Sequence, residues 1–390
     1  MFEHFVGVDV SKDKFNFCVT NSAGRKLAED MCDVSDSGFE KFFSIIKTFA
    51  AVAVGLESTA TYHLPLLCAL LSKEIATYLI TPLLVKNFAR SCSLRTVKTD
   101  KIDARTISIF LNKNQAELHQ ASASEQDGLR EISRLRERIS KQIVSAKIRL
   151  KQMLTTTFPE LVKEYDIFTV SMIALLEEFP SSEAIRKASR RKIEKVLNSK
   201  IKGRKVEAKT EEIKTLAEKS VGACRPMIEK AIKLQIRELN FLLEELNDCS
   251  KELVEAVSAY SGENLEILTS IPGIGEITAS QFIAEIGDIN RFKSVKQLTA
   301  YAGTDPGISQ SGNSLVQKKI SKRGNASVRR VGFLMATHLI TKNELFKQYY
   351  NKKRAENMNA KKAVIAVFNK FLRCIFAMLK NKKKFLFNYS

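Results

Sequence analysis

The chain has 390 residues, 63 lysines and arginines against 43 aspartates and glutamates, a formal net charge of +20 and a pI near 9.6. A surplus of that size points to a polyanionic partner and away from an enzyme of small neutral metabolites, and it carries no information about fold. Seven scattered cysteines without a Cys-x-x-Cys pair and four separated histidines argue against a zinc framework and for a reducing compartment. No basic-then-apolar leader and no long uncharged apolar run is visible, so the expectation is a cytoplasmic chain with no membrane partner.

From the N-terminus, Val6–Val10 reads as a strand, Ser11-Lys12-Asp13-Lys14 as a turn, Phe15–Val19 as a second strand and Lys26–Cys32 as a third. Phe39, Phe42, Phe43 and Ile46 give helical spacing over residues 37–49, behind a Ser/Asp cap region. Ala51–Leu56 is nearly all apolar, as in a strand buried on both faces. A helix over Leu64–Leu71, a strand over Ala76–Ile80 and a helix opened by Pro82 follow. A β-hairpin, then alternating strands and helices, suits a ribonuclease H-like α/β layer over residues 1–120.

Four acids stand out against this frame. Asp9 and Glu57 each end an apolar run, and Asp100 and Asp103 are spaced i, i+3 at a helix start. Carboxylates at strand ends and on one helix face can converge. Hard divalent ions take oxygen ligands, so two Mg²⁺ ions, with Mn²⁺ as the natural substitute, are the expected cofactors. Such a pair can clamp the attacking and leaving oxygens of a phosphodiester. The plainer reading makes Asp100 a helix cap and Asp103 a favourable first-turn charge; Asp9 and Glu57 resist it better.

Residues 121–260 read as a helical, coiled-coil connector. Residues 124–157 place Leu129, Ile132, Leu135, Ile139, Ile143, Ala146, Leu150 and Met153 at three- and four-residue steps. Residues 226–258 do the same with Ile228, Ile232, Ile236, Leu239, Leu243, Leu246 and Leu253. The two suit an antiparallel hairpin or pairing with a second subunit. Between them, residues 186–209 are dense in lysine and arginine, which suggests an exposed basic insertion or simply a solvated charged face.

The remaining part, 261–390, reads as mainly helical. Ile271-Pro272-Gly273-Ile274-Gly275 lies between apolar helical segments and has the form of a helix-hairpin-helix turn, with Gly273 and Gly275 able to approach a phosphate. Residues 302–307 read as a loop leading into Ile308–Ser314. A basic run, Lys318, Lys319, Lys322 and Arg323, follows and is expected to contact nucleic acid, and the chain ends in a basic tail at Lys380–Lys384.

Taken in order, Val6-Gly7-Val8-Asp9-Val10-Ser11-Lys12, Leu56-Glu57-Ser58-Thr59, Lys98-Thr99-Asp100-Lys101-Ile102-Asp103-Ala104, Ile271-Pro272-Gly273-Ile274-Gly275, Ala300-Tyr301-Ala302-Gly303, Pro306, Ser311-Gly312 and Ile320-Ser321-Lys322-Arg323-Gly324-Asn325 resemble the DEDD transposases of the insertion-sequence-110 family, which includes the Piv-type DNA invertases. The resemblance covers most of the chain; residues 160–220 and the far tail carry none of it. It implies a RuvC-like nuclease domain whose acidic tetrad is Asp9, Glu57, Asp100 and Asp103, a helical connector, and a C-terminal transposase domain with a nucleophilic serine. It implies double-stranded DNA partners (element ends and target), a structured guide RNA that bridges them, a homo-oligomer such as a dimer or tetramer, and action at the prokaryotic nucleoid. Ser311, just before Gly312, matches the family serine best, with Ser309 and Ser314 as lesser candidates. Gln310 stands where relatives often carry another serine, and Thr304 where a large aliphatic residue is common.

The expected reaction is strand exchange through a serine–DNA link. Two other readings stay open at this level: a RuvC-like nuclease that uses metal-activated water and needs the acids alone, and a nucleic-acid-binding protein without catalysis. An actin-like sugar kinase lacks the later glycine-rich nucleotide motif, and no Arg/His/Arg constellation supports a tyrosine recombinase.

Overall fold

Strand β1 (His4–Val10) is buried at nearly every position, so it lies at the centre of a sheet covered on both sides. It pairs antiparallel with β2 (Lys14–Asn21), which pairs antiparallel with β3 (Lys26–Asp33). On its other side β1 is parallel to β4 (Val52–Glu57), and β4 to β5 (Ala76–Ile80). The order β3-β2-β1-β4-β5, with its antiparallel meander followed by parallel strands, is the ribonuclease H-like arrangement that the sequence pattern implies. These facts come from a computed structural model that describes residues 2–58, 62–92, 100–118, 120–121, 126–199, 205–223, 226–311 and 314–385.

Period-two alternation assigns the two faces of the sheet. Val6, Val8, Phe15, Phe17, Val54 and Leu56 pack under α1 (Asp36–Ile46) and α2 (Leu64–Ser72). Phe42 of α1 meets Phe15 and Phe17 edge-on at 5.4 and 4.9 Å, and each ring stabilises the layer by about 1.5–3 kcal/mol through burial. Helix α1 starts where the Ser35 hydroxyl accepts from the Gly38 amide. Phe5, Ala53, Tyr78 and Ile80 face the other way, toward α3 (Pro82–Cys92) and α4 (Asp100–Asn114), which contribute Val85, Ile107, Phe110 and Leu111.

The chain divides into two compact units, Met1–Ser124 and Glu125–Ser390. In the second, α5 (Gln126–Thr157) pairs with α11 (Pro226–Thr269). The Cys249 thiol donates to the Ile132 carbonyl, Arg136 to Ser250, and Arg149 faces Glu238, so the two helices run antiparallel. The buried stripe differs in detail from the sequence expectation. Leu135 and Leu243 are exposed, and Ser133 and Ser250 are buried instead, because the serines lie on the faces where the helices meet.

One core joins this pair to α6 (Pro159–Glu164), α7 (Val170–Glu178), α8 (Ser182–Lys187), α9 (Arg190–Asn198) and α10 (Lys205–Glu218). The basic stretch 186–209 is therefore not an exposed insertion over its described length. Ile193 and Leu197, one turn apart on α9, are fully buried, as is Ile213 on α10, while Arg190, Arg191, Lys192 and Lys195 of α9 face outward.

Helix α11 breaks at Ser261 (φ −156°, ψ 50°). A second core, which takes in Leu129 of α5 and Leu253 and Val257 of α11 ahead of the break, gathers α12 (Glu276–Ile286), α13 (Val295–Ala302), α14 (Ala326–Lys342), α15 (Glu344–Ala355) and α16 (Ala360–Asn381). The loop expected over 302–307 narrows to 303–305, and the residues after it, which no sequence pattern assigned, form a two-stranded antiparallel hairpin, β6 (Pro306–Ser311) and β7 (Ser314–Ile320). No helix among the described residues is long and apolar enough to cross a membrane.

Candidate functional site

Asp9 and Glu57 come together through strand register. Val8 lies opposite Leu56 in the parallel β1–β4 pair, so the next residues, Asp9 and Glu57, end neighbouring strands at one edge of the sheet. Both follow a glycine by two residues, which puts Gly7, Asp9, Gly55 and Glu57 on the α4 face.

The glycines let α4 lie close. A Cβ on Gly7 would stand 2.1 Å from the Ala104 carbonyl oxygen and 2.2 Å from the Ser108 nitrogen. Further along α4, Ser108 meets Thr20, and the Asn112 amide donates to the Ser22 carbonyl, beside the start of β1. Helix α4 thus runs antiparallel to β1, and its first turn points toward the Asp9 end. Gly7 to Asp9 advances about 6.6 Å along a strand, and Ala104 to Asp100 about 6 Å along a helix. The start of α4, with Asp100 first and Asp103 in the same turn, therefore lies over the edge that carries Asp9 and Glu57.

Asp9, Glu57 and Asp103 are each half-buried, and the Asp100 side chain lies outside the described residues. Among the described residues no three His, Cys, Asp or Glu side chains gather closely enough to hold a metal ion. The backbone thus supplies a shared edge, not a closed ligand set. An all-carboxylate donor set nevertheless suits a hard divalent cation. One neighbour escaped sequence reading: Asn16, buried and registered directly opposite Asp9 across the β1–β2 pair. Only the predicted hairpin register could have signalled it.

In the second unit, Ser311 ends β6 and is registered opposite Ser314, with Ser309 two residues back opposite Val316. The candidate serines thus sit at the tip of a hairpin whose base is tightly held. Thr304 is fully buried; its hydroxyl donates to Asn369 Oδ1 at 2.6 Å, and Asn369 Nδ2 returns a bond to the Thr304 carbonyl at 3.2 Å. Ser321 donates its hydroxyl to Asp305 at 2.6 Å and its amide to the Asp305 carbonyl at 2.9 Å. The Thr304 hydroxyl is therefore used in packing the loop.

The Lys322-Arg323-Gly324-Asn325 segment follows. Gly324 must lack a Cβ, since one would lie 2.1 Å from the Tyr301 carbonyl oxygen. Asn325 caps α14 by accepting from the Ser327 and Val328 amides, and its own amide donates to Glu285 at 2.7 Å and to the Tyr301 hydroxyl at 3.2 Å. Glu285, fully buried near the end of α12, is also paired with Arg134 at 3.3 Å. Despite burial, the Glu285 and Glu131 carboxylates hold the Arg134 pKa above its ordinary value. A charge inside the apolar run Phe282–Ile286 was the available sign of this network. Lys322 and Arg323 are exposed, whereas the side chains of Lys318 and Lys319 on β7 lie outside the described residues.

The turn between α11 and α12 contains both expected glycines. Gly273 has φ +96°, and a Cβ there would press on Lys342 Cβ at 3.1 Å and the His338 carbonyl at 3.2 Å. It serves a close approach to α14. Gly275 caps α12 with open space around it.

Comparison with known proteins yields matches in both regions. The family model of IS110 DEDD transposases matches residues 6–159, and that of the transposase IS116/IS110/IS902 family matches residues 265–351. The transposase for insertion sequence element IS1111A of Coxiella burnetii is 25% identical over 97% of this chain and 90% of its own length. The pilin gene-inverting protein of Moraxella bovis is 22% identical over 99% of this chain and 98% of its own. Among solved structures, T. thermophilus RuvC in complex with a Holliday junction substrate aligns over 30% of this chain and 99% of that one, at 12% identity and a TM-score of 0.25.

Proposed function

Because the chain belongs to the IS110 family of transposases, enzymes that cut and rejoin DNA, we propose that it exchanges strands through a covalent serine–DNA intermediate assisted by divalent metal. The observation that supports this most is the shared edge. Asp9 and Glu57 end adjacent parallel strands where α4 begins with Asp100 and Asp103.

These four carboxylates would hold Mg²⁺. Two ions bound there would offset charge on a phosphodiester and lower the barrier to displacement. Ser311 Oγ attacks phosphorus, a serine–phosphate ester forms, and the broken P–O bond releases a deoxyribose hydroxyl that takes up the serine proton. A second deoxyribose hydroxyl then reverses the step on a new strand. The ester conserves the bond energy, so no nucleotide is consumed. The paired hydrogen bonds of Thr304–Asn369 and Asp305–Ser321 keep the hairpin base rigid and so orient Ser311. Gly273, Gly275, Lys318, Lys319, Lys322 and Arg323 contact the phosphate backbone. A structured guide RNA bridges element ends and target. The acids belong to 1–120 and the serine to 261–390, joined by the connector 121–260, and a dimer or tetramer completes each site from different subunits.

A RuvC-like nuclease acting through metal-activated water would need the acids and not the serine. Cleavage of an element-end duplex in Mg²⁺ by the parent, Asp9→Ala and Ser311→Ala proteins separates the two. Strand exchange requires both residues. Persistent cutting by Ser311→Ala removes the serine, and persistent cutting by Asp9→Ala removes the metal site.

A further inference from the structure

Four cations outside the assigned residues line one cleft in the second unit. Helix α5 contributes Arg134, Glu137, Arg138 and Lys141, at the three- and four-residue steps of a single helix face. The start of α14 contributes Ala326, Ser327 and Arg330. The cleft has a volume of about 460 Å³, and Glu137 is the one acid among its lining residues.

That acid is already engaged. Glu137 is 2.8 Å from Lys141 and 3.0 Å from Arg330, and it accepts from the Ser327 hydroxyl at 3.3 Å. Arg138 has no hydrogen-bond or ion-pair partner among the described residues, and the buried Nη2 of Arg330 has no hydrogen-bond acceptor. Behind the wall Arg136 donates only to neutral groups, Ser250 at 2.8 Å and Gln281 at 3.4 Å. Burial and the neighbouring Arg330 charge hold its pKa below the ordinary arginine value, as expected where cations outnumber local counter-charges. The positive end of the 17-residue α14 opens at the same place. Lys322 and Arg323, both exposed, lie just ahead of that helix start in the chain.

Excess positive charge in an open cleft, with donors left over, fits a chain of phosphates better than a compact metabolite. We propose that the cleft between α5 and α14 is a phosphodiester-binding site in which Arg138, Lys141 and Arg330, beside the Glu285-paired Arg134, hold backbone phosphates of the nucleic acid on which the protein acts. The proposal rests on the DNA-transposing function above and adds a contact surface to it. Each of these cations neutralises phosphate charge and releases counterions, so the site reveals itself in the salt dependence of binding.

The test uses the full chain and two fluorescent probes, an element-end DNA duplex and an RNA transcribed from the element's flank. Anisotropy titrations over a range of salt compare the parent with Arg138→Gln/Lys141→Gln. Both residues are exposed on α5, so the fold is expected to persist, which thermal melting checks. Lys251→Gln/Lys347→Gln, exposed on α11 and α15, removes the same charge elsewhere. The site predicts a loss of affinity of about 10-fold or more for at least one probe, with a log–log salt slope shallower by about 2 on duplex DNA and somewhat less on RNA. The probe affected identifies the ligand, and the control pair changes affinity less than about 2-fold. Equal losses in the two double variants, or none in the first, overturn the site while leaving the function intact. A parent protein that binds neither probe overturns both.

Discussion

Replacing Gly7 by alanine tests whether α4 carries the acids to the sheet edge. The added carbon would stand 2.1 Å from the Ala104 carbonyl oxygen and 2.2 Å from the Ser108 nitrogen, where ordinary contact begins at 3.4 Å. Both obstacles are helix backbone, so neither can rotate aside, and α4 must retreat by more than an ångström. Overpacking of this kind costs about 1–3 kcal/mol, enough to lower the unfolding midpoint of the first unit by roughly 5–10 °C. A misplacement of about 1 Å in catalytic groups costs on the order of 100-fold in rate. Gly55→Ala is the matched control. Its Cβ would meet only side-chain atoms, Ile80 Cδ1 at 2.9 Å and Ile107 Cγ2 and Leu111 Cδ2 at 3.3 Å, which can yield. Metal-dependent cleavage of element-end DNA should therefore fall about 100-fold in Gly7→Ala and less than about 10-fold in Gly55→Ala. Equal rates in the two variants would refute the placement of Asp100 and Asp103 over Asp9.

Thr304→Val leaves the Asn369 carbonyl oxygen without its donor in a buried setting. It should cost about 1–3 kcal/mol by chemical denaturation and slow strand joining more than it weakens DNA binding. Ile193→Ala should cost about 2–5 kcal/mol in urea unfolding, whereas a value near zero would restore the exposed-insertion reading of 186–209. Burial alone would raise the Glu137 carboxyl, yet the Lys141 ammonium and the Arg330 charge hold it below its ordinary 4.5. Its ionised form therefore stabilises the fold at neutral pH, and that contribution is lost as the pH falls below 4.5 through the lower folded value. Glu137→Gln should be less stable than the parent at pH 7, and melting curves should converge toward pH 3.

Much of the first unit was legible because its strands are short apolar runs and its helices keep a clean period. Ala76–Ile80 and the helix starts at Pro82 and Asp100 fall where the pattern puts them. The hairpin at 306–320 was hidden by polar strands. Ser309, Gln310, Gln317 and Lys319 obscure the alternation, although the Gly312-Asn313 pair between two registered serines is a two-residue hairpin signal. Lysine and arginine concealed α9, whose buried set is only Ile193 and Leu197. Apolar spacing overstated the stripe at Leu135 and Leu243, because nothing local distinguishes a leucine facing solvent from one facing the partner helix. For the candidate site, the acids and the serine are proposals drawn from the sequence. Asn16 follows only from the register of a local hairpin, and Glu285 and Asn369 depend on long-range pairing that no local pattern encodes.

The most direct test of the serine mechanism is to trap the covalent link. The protein is incubated with element-end DNA, guide RNA and Mg²⁺, the nucleic acid is trimmed with nuclease, and the digested protein is analysed by mass spectrometry. A nucleotide phosphate on Ser311, absent from both Ser311→Ala and Asp9→Ala, is the predicted result. Cut DNA with free ends, no modified peptide across residues 306–319 and undiminished cutting by Ser311→Ala would contradict it.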